Sequence, residues 1–165
     1  MIVTNAEKAD LPRILELQYA AYRSEAELYK NDRIEPLTQT LADLAAEFER
    51  KTILKAVLDG EIVGSVRAEA EDGTCRIGKL FVRPDLQGQG IGKKLMEEIE
   101  WRFSACKRFE LFTGSRSERN LAMYGKLGYR PFRTVRVNER FGMVYLEKRT
   151  EGGEGTRWAS RSEAR

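Results

Sequence analysis

The chain has 165 residues, with 29 lysines and arginines set against 26 acidic residues for a net charge of +3, which is enough chain for one well-buried core. Basic and acidic residues are intermixed, with no basic stripe carrying interleaved aromatics, and this composition argues against a nucleic-acid partner. There is no histidine, and Cys75 and Cys106 are the only thiols, which excludes an imidazole base and argues against a metal centre or a disulfide framework.

Residues 1–5 read as a short strand without a basic-then-apolar leader. No run is long and apolar enough to span a bilayer, so the expectation is a soluble, cytoplasmic protein with no membrane partner. Asp10-Leu11-Pro12 marks a helix start, with Asp10 as N-cap and Pro12 in the first turn. Leu11, Ile14, Leu15, Leu17, Tyr19 and Tyr22 recur near helical spacing until residues 29–36 break the pattern. A second helix is expected over 38–50, with Leu41, Leu44, Ala45 and Phe48 on one face.

From Thr52 the period becomes that of strands. The runs 53–58, 61–68 and 74–82 are separated by Asp59-Gly60 and Asp72-Gly73, strong hairpin signals that predict a three-strand antiparallel meander. A glycine-punctuated turn follows, then a helix with Ile91, Leu95, Met96, Ile99 and Phe103 toward a core and Lys93, Lys94, Glu97, Glu98 and Glu100 toward water. A strand at 109–113 is expected beside the one ending at Val82, then a helix at 117–126 closed by Gly128, and strands at 132–137 and 141–148. The sum is an α/β fold, a mixed, mainly antiparallel sheet flanked by helices, in one domain over 1–149. Residues 150–165 lose all periodicity and are expected to be a flexible tail, in which Trp158 has no assignable place.

The turn Gln87-Gly88-Gln89-Gly90-Ile91-Gly92-Lys93-Lys94 is the most informative segment, because it joins an apolar strand to an amphipathic helix. Bare N–H groups at Gly88, Gly90 and Gly92, with the orphan donors and positive dipole end of the helix, form an anion site for a phosphate or pyrophosphate. Glycine-rich turns also serve tight packing alone, so the flanking segments decide. A Walker A loop needs Ser or Thr after its Lys, where Lys94 stands, and its glycine spacing is one residue longer. A dinucleotide loop needs its third glycine where Lys93 stands and a parallel βαβ context rather than a meander.

The pattern Gln87-x-x-Gly90-x-Gly92 after a strand ending in Val82-Arg83-Pro84 resembles the acetyl-CoA loop of the GNAT superfamily of N-acetyltransferases. Residues 120–129, Asn-Leu-Ala-Met-Tyr-Gly-Lys-Leu-Gly-Tyr, are similar to the family's second signature, a tyrosine ahead of a Lys-Leu-Gly-Phe/Tyr ending. The resemblance implies an acetyl-CoA loop between the fourth strand and the third helix, with acetyl-CoA as co-substrate and no metal. It implies that the backbone of Leu80, Phe81 and Val82 pairs with the pantetheine arm as an added strand. The amides of Gln87, Gly88, Gln89, Gly90, Ile91, Gly92 and Lys93 would then hold the pyrophosphate. Tyr124 matches the family's general acid, which returns a proton to the CoA thiolate, and would also line the cofactor site; a packing tyrosine is the alternative. Where many members carry Asn seven residues before that tyrosine this chain has Ser117, with Asn120 one turn later; either could contact the cofactor, and Ser117 could equally be an N-cap.

An acceptor amine titrates near 10, so attack needs a proton acceptor. Glu110, on the strand beside the expected cleft, is the leading carboxylate; Glu69, Glu71 and Glu25 are others, each also readable as a solvated charge, and water is a further route. Cys75 and Cys106 read as small buried hydrophobes, and the family mechanism, direct transfer in a ternary complex, requires no acyl-enzyme. The segment from Tyr22 through Glu35, holding Glu25, Glu27, Tyr29 and Asp32, is expected to border the acceptor entrance, with Tyr22, Glu25 and Tyr29 as acceptor contacts. Its acidic and aromatic character suggests a small cationic amine, though an exposed helix end would look similar. The rivals are acetylation of a protein N-terminus or lysine side chain, and an acyl-CoA-binding regulatory module without turnover. A homodimer is possible by family habit.

Overall fold

A computed structural model describes residues 1–31 and 33–150. Two Asp-Gly pairs set the middle of its sheet. Asp59 and Gly60 take φ values of 52° and 79°, and Asp72 and Gly73 take 52° and 80°, the left-handed pairs that two-residue hairpin turns require. They join β2 (Thr52–Leu58), β3 (Glu61–Glu71) and β4 (Thr74–Val82) into the expected meander. The first strand, β1 (Ile2–Asn5), pairs antiparallel with β2. On the other side β5 (Arg108–Gly114) runs parallel to β4, while β6 (Arg130–Arg136) forms an edge and β7 (Gly142–Arg149) inserts between them. The order is β1-β2-β3-β4-β5-β7-β6.

Helices cover the sheet on both faces. Leu11, Ile14 and Leu17 of α1 (Leu11–Tyr29) pack with Leu44 of α3 (Leu41–Phe48), Ile53 and Phe81 on one face. Leu95, Met96 and Ile99 of α4 (Ile91–Arg102) and Tyr124 of α5 (Glu118–Lys126) pack with Leu54, Val66, Phe109 and Leu111 on the other. Each large aliphatic side chain fully buried in these layers contributes roughly 1.5–3 kcal/mol of transfer free energy. A one-turn helix, α2 (Glu35–Thr38), lies within the stretch expected only to break the pattern, so the glycine loop opens the fourth helix rather than the third.

A buried polar network holds α1 in place. The Arg67 side chain, 1% exposed on β3, donates to Gln39 at 3.0 Å, to Glu47 at 3.2 Å and to Gln18 of α1. Gln18 in turn donates to the Pro36 carbonyl at 2.8 Å, so α1, the α2 turn and α3 are tied to one buried cation.

Several expectations change. Asp10 precedes α1 but its carboxylate turns back to the Glu7 N–H and to Lys55, so it does not cap the helix. The second helix spans Leu41–Phe48, because Thr40 and Asp43 form a reciprocal cap there, and Leu41 faces solvent. Glu98 and Glu100 are buried rather than solvated: Glu98 accepts from Arg102, and Glu100 accepts from the Tyr129 hydroxyl at 2.8 Å and Lys148 at 2.7 Å. Thr150, expected to begin the tail, donates to the carbonyls of Lys107 and Cys106 at 2.9 Å each. The rest of that tail, Trp158 included, lies outside the described residues, as does Asp32.

Candidate functional site

The site begins where two neighbouring strands part. β4 and β5 are paired only from Thr74 to Arg76 against Arg108 to Glu110. Further along, Lys79 takes a left-handed φ of 51°, and the β3–β4 register shifts between Ser65 and Arg67. A bulge of this kind bends its strand. β4 therefore turns away from β5, and the edges from Ile77 to Val82 and from Leu111 to Gly114 face each other across a wedge. An extended chain laid in it would find a β4 edge without a strand partner, where Leu80, Phe81 and Val82 lie.

The glycine loop closes the same end. Gly88 and Gly90 have φ of 80° and 86°, conformations that side chains rarely adopt, and Gly90 is the N-cap of α4. Nothing lies within 4 Å of where a Cβ on Gly90 would stand, so the loop's outer surface is open for a close approach. The first internal bond of α4 runs from the Lys94 N–H to Gly90 at 3.0 Å, leaving the earlier N–H groups of the first turn without helical partners. No acidic residue stands in that turn, while Lys93 and Lys94 do. Cations at a helix N-terminus oppose the macrodipole, an arrangement that makes sense if an anion is to be received there. A CoA pyrophosphate fits this donor set.

A cation from the far side of the wedge completes the loop. The Arg119 guanidinium of α5 lies 3.6 Å from the Cβ position of Gly88 and donates to the Gln87 side chain at 3.4 Å. Gly92 packs toward Met123, so the start of α4 and the body of α5 lie side by side. Arg119 was not picked out from the sequence; only the tertiary placement of α5 beside the loop gives it this position.

Three expected residues of α1 border the wedge, Tyr22 against β4 and Glu25 and Tyr29 against the start of α5. The Tyr22 hydroxyl donates to the Leu80 carbonyl at 3.4 Å, and its ring packs edge-on to Phe81 with centroids 6.2 Å apart. The Ser117 hydroxyl donates to Glu25 at 2.8 Å and contacts the Tyr29 hydroxyl at 2.6 Å, while Tyr29 accepts from the Arg116 N–H at 3.1 Å. Ser117 precedes α5, but its side chain makes no capping bond; its hydroxyl is turned instead to Glu25 and Tyr29. Asn120 donates to the Thr113 hydroxyl at 3.2 Å, on the β5 side.

Tyr124 is 6% exposed and packs against Tyr129 with ring centroids 5.9 Å apart. Burial, and then the nearby Glu25 carboxylate, push its phenol above the ordinary tyrosine range. Burial does the same to Tyr22, with Tyr124 and Glu25 adding to the shift and Arg67 opposing it. Both phenols therefore hold their protons at neutral pH, as a proton donor must.

Glu110 stands apart from this cluster. It lies at the closed end of the wedge, where β4 and β5 are still paired, and bonds Arg108 at 2.6 Å with Arg76 at 3.9 Å. Strand alternation turns it away from Phe109 and Leu111, which share the core with Tyr124. Glu69 pairs with Arg50 near the far end of β3. Cys75 is fully buried, and burial pushes its thiol up, the state of an inert packing cysteine. Among the described residues no group of three or more potential metal ligands occurs, and no helix is long and apolar enough to cross a membrane.

Comparisons with known proteins bear on the fold and the family. A family model described as "Acetyltransferase (GNAT) domain" matches residues 49–131, which run from just ahead of β2 through the glycine loop and α5 to the start of β6. The UPF0157 protein YqkA of Bacillus subtilis is 26% identical over 124 residues, 75% of this chain and 36% of its own length. Acetyltransferase ECA0875 of Pectobacterium atrosepticum is 30% identical over 89 residues, 53% of this chain and 63% of its own. The chain thus spans less than two thirds of either curated relative. Among solved structures, a PaiA N-acetyltransferase from Thermoplasma acidophilum in complex with coenzyme A shares the fold, with a TM-score of 0.74, 16% identity, and coverage of 90% of this chain and 98% of that one.

Proposed function

The chain belongs to the GNAT acetyltransferase family, and from that premise we propose that it moves the acetyl group of acetyl-CoA to the primary amine of a small cationic acceptor by direct attack. The observation that carries this reading is the coincidence, at one end of the wedge, of the parted β4 edge, the glycine loop at the start of α4 and Tyr124 of α5, whose neighbour Met123 packs against Gly92.

Each of these parts has a role. The exposed β4 edge at Leu80, Phe81 and Val82 pairs with the pantetheine arm, and the amides from Gln87 to Lys93 take the pyrophosphate, aided by Arg119. Ser117 and Asn120 are polar groups at the β5 end of the wedge. When the amine nitrogen bonds the thioester carbon and the C–S bond breaks, the electron pair goes to sulfur and the Tyr124 phenol supplies its proton. The proton shed by the new amide nitrogen restores the phenol, so the enzyme is unchanged over a cycle. Tyr22, Glu25 and Tyr29 form the acceptor side. Glu25 supports a cationic acceptor because it is a half-buried carboxylate set between Tyr22 and Tyr29 on α1.

The test is thiol release from acetyl-CoA with a panel of polyamines, amino acids, monoamines and peptides with free N-termini or lysines. Turnover on small cationic amines supports the proposal. Turnover confined to peptides would assign the enzyme to protein acetylation, and binding of acetyl-CoA with no turnover on any amine would leave a regulatory acyl-CoA module. The same reading takes the protein to be cytoplasmic and includes a homodimer, for which sedimentation equilibrium is the test.

A further inference from the structure

A directed chain of hydrogen bonds crosses the wedge and ends on one carboxylate. The Arg116 N–H donates to the Tyr29 hydroxyl at 3.1 Å. Ser117 has a single proton, and it goes to Glu25 Oε2 at 2.8 Å, so the 2.6 Å contact between Tyr29 and Ser117 has Tyr29 as its donor. Every hydroxyl in the chain gives one bond and receives one, and all of them point toward Glu25. Such an arrangement fixes the carboxylate as an acceptor and holds it in place; the Ser117 bond uses only a fraction of the acceptor capacity of a carboxylate.

The foundation of this chain is also fixed. The Tyr29 ring lies against Phe141 with centroids 4.5 Å apart and over Gly114, where any Cβ would collide with the phenol. Glu25 is therefore aimed from α1 by residues of β5, the start of α5 and the β6–β7 hairpin. The titratable groups facing it are Tyr22 and Tyr29 of its own helix and Tyr124 of α5, and its charge is felt by both Tyr22 and Tyr124. A carboxylate and a buried phenol close enough to feel one another can divide the two proton transfers of an acyl transfer between them.

We propose that Glu25 binds the acceptor's ammonium group and takes its proton before attack, with Ser117 and Tyr29 as positioning residues. This rests on the transferase reading above. In the step, one N–H bond of the ammonium breaks, the proton bonds a Glu25 carboxylate oxygen, and the freed lone pair attacks the thioester carbon. The proton later leaves Glu25 for solvent, which balances the acid released when an ammonium becomes an amide.

The experiment compares wild type with Glu25→Gln and Ser117→Ala on the best amine of the panel, following kcat/KM against pH and, separately, acceptor binding by calorimetry in the presence of unreactive CoA. Glu25→Gln is expected to lose about 10²–10⁴-fold in kcat/KM at neutral pH. Its deficit should narrow as pH rises toward the amine's own pKa, since solution then supplies the neutral amine. It should bind the cationic acceptor more weakly while keeping acetyl-CoA affinity, and it should lose little on trifluoroethylamine, which is neutral at pH 7. Ser117→Ala should show a smaller deficit of the same pH shape. A deficit constant across pH and equal for both amines would make Glu25 a structural residue and overturn the inference, as would full activity of Glu25→Gln, while wild-type turnover left the transferase reading standing. No turnover by wild type on any amine would remove both.

Discussion

Tyr29 occupies the volume that a side chain at position 114 would need: a Cβ built on Gly114 would fall inside the Tyr29 phenol. Gly114 ends β5 and Tyr29 ends α1, so this contact ties α1 to β5 at the open end of the wedge. Gly114→Ala is therefore expected to destabilise by about 1–3 kcal/mol. At roughly 2–4 °C per kcal/mol for a chain of this size, thermal unfolding would register the loss. In the Tyr29→Ala background the same change should cost much less, and the coupling measured by this double-mutant cycle is the check. Equal losses in both backgrounds would refute it.

Tyr124→Phe keeps the ring packing on Tyr129 and removes the proton. Turnover is expected to fall about 10²-fold or more with acetyl-CoA affinity unchanged. Because burial and the Glu25 charge raise the phenol above the ordinary range, the wild-type enzyme should show no alkaline loss of kcat from Tyr124 below about pH 10. A stopped assay across pH 6–10 reads both points.

Arg119 and Lys93 present their charges to the glycine loop from α5 and α4. Arg119→Ala is expected to weaken acetyl-CoA binding roughly tenfold, in the range of a lost charge-assisted hydrogen bond. Its effect should shrink in high salt. Gly90→Glu should abolish binding, because a side chain at φ 86° is strained and its charge opposes the pyrophosphate. Lys93→Glu, which requires no strained backbone, separates the electrostatic part. Affinity by calorimetry decides each case.

Burial raises the Glu47 carboxyl, but the Arg67 guanidinium and Lys51 outweigh it and hold the group below its ordinary value. A depressed folded pKa contributes stability that is present in full above the unfolded value, about 4.3, and is lost as pH falls through the folded one. Glu47→Gln should thus cost about 2 kcal/mol at pH 7, less than the roughly 3–5 kcal/mol of removing a buried partner outright, because Gln still accepts from Arg67. The gap between the variant and wild type should close in acid. Chemical denaturation at pH 7 and below pH 4 measures it.

What the sequence disclosed was local chemistry. The Asp-Gly turns carry their own left-handed conformations, and Gly128, at φ 97°, ends α5 by the same means. The glycine loop and Tyr124 were legible because each sits in a short motif. Glu98 and Glu100 read as solvated because helical spacing shows only which face they take, while the partners that bury Glu100, Tyr129 and Lys148, arrive from 29 and 48 residues away. Glu110 looked well placed because it lies on the strand beside the cleft; its bonds to Arg108 and its place at the closed end depend on where β4 and β5 separate, and that is set by a bulge at Lys79 without a sequence signature. The link from Glu25 to Ser117 spans 92 residues, so neither local pattern nor composition could reveal it.

The wedge, the loop and the catalytic assignments all depend on one binding event. A calorimetric titration of the full chain with acetyl-CoA, with NAD and ATP as controls, tests it directly. The account predicts saturable binding of acetyl-CoA at one site per chain, lost in Gly90→Glu and much weaker or absent for NAD and ATP. No heat with acetyl-CoA, or equal binding of all three, would contradict it.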